Sequence, residues 1–282
     1  MQIEAQQASA TDDRRRDRIV ITLALVALAG LAWAFTARQA ALMAGMDHTS
    51  MRAPTWHRLD VALLFAMWGV MMVAMMTPAA GPMTFAFAAI NRRRRERAAP
   101  YVATAVFVVG YLVAWAGFSM LATALQIALH AMGWLDPMMM QTSAPLAAAL
   151  FLIAGLYQWS SLKDLCLTRC RSTEGFILSE WRDGATGALT MGGRHGLFCI
   201  GCCAPLMLLL FAVSVMDLRW VAGLTAVVLV EKLLPNQDFC RRLVGTGLIG
   251  TAVVIATSAS RFSCSACSTL ALAVAAASTA LR

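Results

Sequence analysis

The chain has 282 residues, 60 % of them hydrophobic and 13 % charged, with a mean hydropathy of +0.68 and a formal net charge of +8. That balance excludes a water-soluble domain of ordinary surface chemistry. Apolar runs of about 20 residues recur from end to end, as in helical membrane proteins, and no stretch between them is long enough for a second folded domain.

Residues 1–18 form a charged leader ending in Arg14-Arg15-Arg16-Asp17-Arg18, and its first part, 1–13, carries no pattern and is expected to be disordered. The apolar run that follows, 19–37, is longer than the hydrophobic segment of a secretory signal and is read as an uncleaved helix. Further spans are predicted at 59–80, 101–129, 144–163, 195–215, 218–234 and 243–260. The expected fold is therefore an all-α, polytopic transmembrane bundle of about seven spans, one domain over residues 19–260. With the N-terminus inside, seventeen of the 23 Lys and Arg residues fall in the leader and inner loops, and six in outer segments. The asymmetry predicts a cytoplasmic N-terminus. It also assigns the basic excess to topology and contact with anionic lipid, not to nucleic acid.

The first outer loop, 38–58, carries Met43, Met46, His48, Met51 and His57, which together can collect a metal ion. Span 2 contains MWGVMMVAMM, residues 67–76. At helical spacing Met67, Met71 and Met75 share one side, with Met72 and Met76 adjoining. Thioether sulfur binds Cu(I) or Ag(I) without losing a proton, so this stripe can pass a soft cation through an apolar layer. The same residues also serve as flexible packing, which needs no ligand. Thr77-Pro78 and Pro82 are expected to kink or split the helix. A second outer loop, 130–143, holds Met132 and the run Met138-Met139-Met140.

Span 4 leads into YQWSSLKDLCLTRCR, residues 157–171, with Cys166 and Cys170 at i, i+4 and Lys163 one turn earlier. Nearby Lys163, Arg169 and Arg171 favour the thiolate, the form that binds metal or attacks as a nucleophile. Alternatively these are inert cysteines at a helix end, with the bases as topology anchors. In the inner segment 164–194, the stretch EGFILSEWRDG is expected to lie at the membrane interface.

Span 5 opens with CIGCCAPLM, residues 199–207, the strongest local signal in the chain. Cys199, Cys202 and Cys203 stand at i, i+3 and i+4, so their thiols share one helix face. Thiolates with neighbouring methionines suit copper(I), and thiolates alone also suit zinc. Span 6 ends in Glu231-Lys232, where an ionisable residue without a partner is read as a headgroup anchor. The tail 261–282, with Cys264 and Cys267, is given no structure. Met71, Met72, Met75, Met76, Cys166, Cys170, Cys199, Cys202 and Cys203 are the candidate metal ligands, with Lys163 and Glu231 as supporting groups. Under the predicted topology they gather at the cytoplasmic end of the bundle.

At these residues the chain resembles a bacterial group of predicted metal-binding integral membrane proteins of unknown function. The resemblance covers about residues 59–250 and rests on MWGVMMVAMMTPAAGPM, YQWSSLKDLCLTRCR, HGLFCIGCCAPLM, and VMDLRW followed by VEKLLP, in that order. It implies a multi-pass protein of the bacterial inner membrane with a metal site. The chain departs from the usual pattern at Ala204, Asp217 and Asn236, none of which removes a thiol.

Three functions are weighed. The first is soft-metal handling or transfer, copper foremost. The second is thiol–disulfide exchange by pairs such as Cys166/Cys170 and Cys199/Cys202. The third is an accessory membrane subunit whose cysteines only pack. Five of the eight cysteines fall at the predicted reducing, cytoplasmic end of the bundle, Cys240 is inside too, and only Cys264 and Cys267 fall outside, which favours ligands over oxidants. No nucleotide-binding or hydrolytic motif is present, and no catalytic residue is assigned. The sequence leaves the oligomeric state open.

Overall fold

The computed structural model describes residues 2–44, 57–96, 102–135, 142–213, 215, 217–234 and 238–258. Among these residues the protein is helical, apart from one isolated antiparallel bridge between Leu135 and Thr142. The helices are α1 (Gln2–Ala44), α2 (Arg58–Glu96), α3 (Thr104–Ala131), α4 (Ala144–Gln158), α5 (Ser161–Arg171), α6 (Thr173–Glu180), α7 (Gly184–Val213), α8 (Leu218–Leu233) and α9 (Asp238–Ser258). Five of them are long and apolar enough to cross a membrane: most of α1, most of α2, α3, α7 and α9. The bent pair α4–α5 makes a sixth candidate.

Several expectations change. Helix α1 begins at Gln2, so the charged leader continues into the first apolar helix without a break. Neither Pro78 nor Pro82 splits α2, which runs unbroken for 39 residues. Threonine hydroxyls bond back to carbonyls near each proline, Thr77 to Val73 at 2.6 Å and Thr84 to Ala80 at 2.9 Å. Span 4 is not one helix to residue 163. It stops at Gln158 and turns by 64° into α5. Ser160 caps α5 by accepting from the Lys163 backbone N–H at 3.1 Å. Helix α8 has only 16 residues. At 1.5 Å per residue it is about 24 Å long, short of the roughly 30 Å of a bilayer core. The seven spans expected thus become five long helices, one broken pair and one short helix.

Two expected positions also move. The segment EGFILSEWRDG packs inward at its centre: α6 buries Phe176 and Ile177 against Met83, Phe87, Phe107 and Met191. Helix α7 starts at Gly184, not near residue 195, so its cysteines lie at the middle of a 30-residue helix rather than early in a span. The outer-loop residues Met46, His48 and Met51, the run Met138-Met139-Met140, and the tail with Cys264 and Cys267 lie outside the described residues.

Helix α7 is the centre of the assembly, packed against α3, α4 and α5. The α3–α7 seam depends on small residues. A side chain at Gly192 would strike the Phe107 carbonyl, and one at Gly196 would sit 2.6 Å from the Ala114 Cβ. Close backbone approach of this kind is how apolar helices gain packing energy where no water is expelled. Trp68 ties α2 to α3 by donating to Gln126 Oε1 at 2.7 Å, and its ring packs on Phe211 of α7. Ion pairs gather the helix ends: Arg92 with Asp17, Arg94 with Asp183, and Arg194 with Glu180.

Replacing Gly192 by leucine should destabilise the protein by about 1–3 kcal/mol or more through overpacking. Gly30→Leu, in open space, should leave it unchanged. Thermal unfolding of both variants in detergent checks this. Equal melting of Gly192→Leu and wild type would contradict the seam.

Candidate metal centre

The middle of α7 is shaped by Pro205, whose missing N–H leaves the Gly201 carbonyl without its helical donor. Tyr157 of α4 takes that place, donating to Gly201 O at 2.6 Å. Gly201 itself has no side chain to hold α5 away: a Cβ there would lie 2.7 Å from Cys166 Sγ. A proline and a glycine therefore let α4 and α5 close onto the helix turn that carries the cysteines.

Cys199, Cys202 and Cys203 are all buried. The Cys202 and Cys203 thiols both donate to the Cys199 carbonyl, at 3.1 and 2.6 Å. Their sulfurs are 3.8 Å apart, and Cys203 Sγ is 4.0 Å from Met76 Sδ on α2. Cys170 of α5 is buried in the same cluster, where its thiol interacts with those of Cys199 and Cys202. Cys199 Sγ accepts from Lys232 Nζ at 2.8 Å, with the Tyr111 hydroxyl at 3.1 Å. Tyr111 also donates to the Met76 carbonyl at 3.0 Å, so one phenol joins α2, α3 and α7.

Behind the sulfurs lies an ionic network. Lys163, fully buried, does not stand beside the α5 cysteines as an activating base. It pairs with Glu231 at 2.7 Å. The other carboxylate oxygen of Glu231 accepts from Gln158 at 2.9 Å, and the Glu231 carbonyl accepts from Arg171 at 3.0 Å. Glu231 is thus an internal residue of the core, not a headgroup anchor, and Lys232 beside it reaches a sulfur instead of the surface.

Of the sequence-predicted residues, the structure brings together Cys170, Cys199, Cys202, Cys203 and Met76. Cys166 is half-buried against Gly201 at the margin. Met71, Met72 and Met75 are buried along α2 in the same core. Among the described residues no three His, Cys, Asp or Glu side chains stand where they enclose one ion. Two sulfur–sulfur gaps, Cys202–Cys203 and Cys203–Met76, are instead short enough for two bonds of about 2.3 Å to bridge. A donor set of thiols and a thioether, with no carboxylate at the sulfurs, fits a soft ion of low coordination number better than a hard or tetrahedral one.

Sequence reasoning missed Lys232, Tyr111, Tyr157 and His195. The position of His195, one turn before Cys199, was the available signal. Its ring is buried among Phe107, Tyr111 and Phe176, and neither nitrogen has a hydrogen-bond partner among the described residues. Tyr111 and Tyr157 gave no signal, because their partners are backbone carbonyls and a sulfur on distant helices.

The network predicts a sharp contrast between single and double variants. Lys163→Met leaves the Glu231 carboxylate buried and uncompensated, at a cost of about 3–5 kcal/mol. Adding Glu231→Gln should restore most of that loss. Denaturation in mixed detergent reads both, and a Lys163→Met protein as stable as wild type would refute the pairing.

Residues 65–255 match the PpoB2 family, described as a copper chaperone. No curated protein and no solved structure matches the chain. The family match takes in every residue of the sulfur cluster and of the ionic network, and it spans more than half of the sequence. The chain belongs to the PpoB2 family of copper chaperones.

Proposed function

We propose that this protein is a multi-pass protein of the bacterial inner membrane, with its N-terminus in the cytoplasm, that holds Cu(I) in the sulfur cluster and passes it on. The observation that carries the reading is the buried line Cys202–Cys203–Met76, with gaps of 3.8 and 4.0 Å. Family membership supports copper as the cargo. The donor chemistry supports the cuprous state, because thiolate and thioether sulfur favour the softer ion.

Cys202 and Cys203 are the primary ligands in this reading, with Cys199 and Cys170 within the same cluster. Met76 is the neighbouring thioether, and Met71, Met72 and Met75 continue a sulfur-bearing path along α2. A chaperone must release its ion as well as bind it. A line of donors allows that, since each sulfur can be exchanged for the next without a stage at which the ion is bare. The Cys202 and Cys203 S–H groups rest on the Cys199 carbonyl, so metal binding would replace two hydrogen bonds within one helix turn.

Thiolates form by losing protons, so Cu(I) affinity should fall as pH drops, whereas a thioether-only site should hardly respond. Cu(I) competition against a chelator at two pH values tests this. Cys202→Ser/Cys203→Ser should abolish most binding and its pH dependence. Met76→Leu, close in volume, should weaken binding or slow exchange while leaving the fold intact. Unchanged affinity in the double serine variant would overturn the reading. For topology, a reporter fused after Arg97 should read cytoplasmic and one near Gln141 periplasmic. The opposite result would invert the orientation.

A further inference from the structure

The imidazole of His195 takes no part in the sulfur cluster or in the ionic network. It is 1 % exposed, and neither ring nitrogen has a hydrogen-bond partner among the described residues. An imidazole is polar at both nitrogens, and burying them unpaired is costly. Leucine or phenylalanine would fill the space between Phe107, Tyr111 and Phe176 without that cost. A buried orphan of this kind calls for a ligand, and its surroundings decide which.

His195 belongs to a row. Met191, His195, Cys199, Cys203 and Met207 recur every four residues along α7, and none is more than 1 % exposed. Four residues advance a helix by about 6 Å, so the row is a ridge of buried soft donors about 24 Å long. Side chains on a helix lean toward its N-terminus, which sets the imidazole over the turn of Met191. Met191 shares its neighbours. It lies in one buried core with Phe107 and Phe176, whose ring centroids are 6.2 and 5.8 Å from that of His195. Met83 of α2 is in the same core. Its presence follows from the antiparallel run of α2 against α7, which pairs Met76 with Cys203 and Trp68 with Phe211. Seven residues beyond Met76, the α2 chain has reached the Met191 end of the ridge.

We propose that His195 and Met191 form a second soft-metal site, one turn from the cysteines, that takes Cu(I) or Ag(I) on an imidazole nitrogen and a thioether sulfur. The inference rests on the copper-binding reading above and extends it from one cluster to two stations on one ridge. Each donor offers a lone pair, and the thioether has no proton to lose. A monovalent soft ion is content with two donors, and Met83 is the thioether available from the facing helix. Neutral donors hold the ion less tightly than thiolates, so the first ion goes to the cysteines and the second to His195. Tyr111 adjoins both stations, its hydroxyl 3.1 Å from Cys199 Sγ and its ring centroid 5.6 Å from that of His195. An ion leaving the cysteines therefore has its next donor within one helix turn.

The test uses the full-length, reduced protein in detergent, titrated with Cu(I) and followed by X-ray absorption at the copper edge. At one equivalent the copper shell should be sulfur alone, and at two equivalents nitrogen should enter it. The chain has four histidines, so the nitrogen is assigned by its loss in His195→Leu. That variant should still bind the first ion, with affinity unchanged within about twofold. Met191→Leu, close in volume and with the imidazole intact, should lose the second ion too, and it tests the pair even where His195→Leu misfolds. No nitrogen at two equivalents in wild type, nitrogen that persists in His195→Leu, or a second ion retained by Met191→Leu overturns the proposal. Wild type that binds no Cu(I) defeats the copper-binding reading itself. One ion on sulfur and no second defeats only the histidine site.

Discussion

The ion pair between Lys163 and Glu231 is the contact on which the arrangement of the centre depends. Both side chains are buried, and neither could remain charged in an apolar core without the other. The pair joins α5 to α8, and Gln158 adds the end of α4 by satisfying the second carboxylate oxygen. A short helix has little apolar surface with which to fix its own register, and α8 has only 16 residues. The buried pair supplies that register. Once Glu231 is fixed, Lys232 beside it is aimed at Cys199, and the α5 helix that carries Cys170 is held against α7. The position of Lys232 and the closure of the sulfur cluster are consequences of one contact.

The backbone of α7 is prepared for the same purpose. Pro205 opens a carbonyl that Tyr157 fills, Gly201 admits Cys166, and the glycines at 192 and 196 bring α3 close enough for Tyr111 to meet Cys199. Helices α2 and α7 then face each other through side chains, Trp68 against Phe211 and Met76 against Cys203. The sulfurs of Met76, Cys202 and Cys203 lie buried in this space. Cys202 and Cys203 are held by weak S–H bonds to a carbonyl, so these thiols are ordered yet inexpensive to rearrange.

How much of this the sequence disclosed follows from the range of each interaction. Periodicity and spacing are local, and they disclosed the helical architecture, the shared face of Cys199, Cys202 and Cys203, and the methionine stripe containing Met76. Helix ends were less legible. Apolar runs alone do not show that α7 begins at Gly184, that α4 breaks at Trp159, or that α8 is short. The prolines of α2 do not split it, because a long membrane-type helix tolerates a missing N–H where neighbouring helices pack against it. The roles of Lys163, Glu231 and Lys232 depend on pairing across 68 and 33 residues of sequence, which no spacing rule on one helix contains. Glu231-Lys232 reads as an anchor until its partners are known. The family match is blind to this too, since it names a cargo and leaves the ligands unnamed.

The central claim is that copper is held by sulfur at the α2–α7 contact. X-ray absorption at the copper edge of the reduced protein loaded with one equivalent of copper tests it most directly. The account predicts a cuprous edge and a first shell of sulfur alone, lost in Cys202→Ser/Cys203→Ser. A first shell containing nitrogen or oxygen, or an unaltered sulfur shell in that variant, would contradict it.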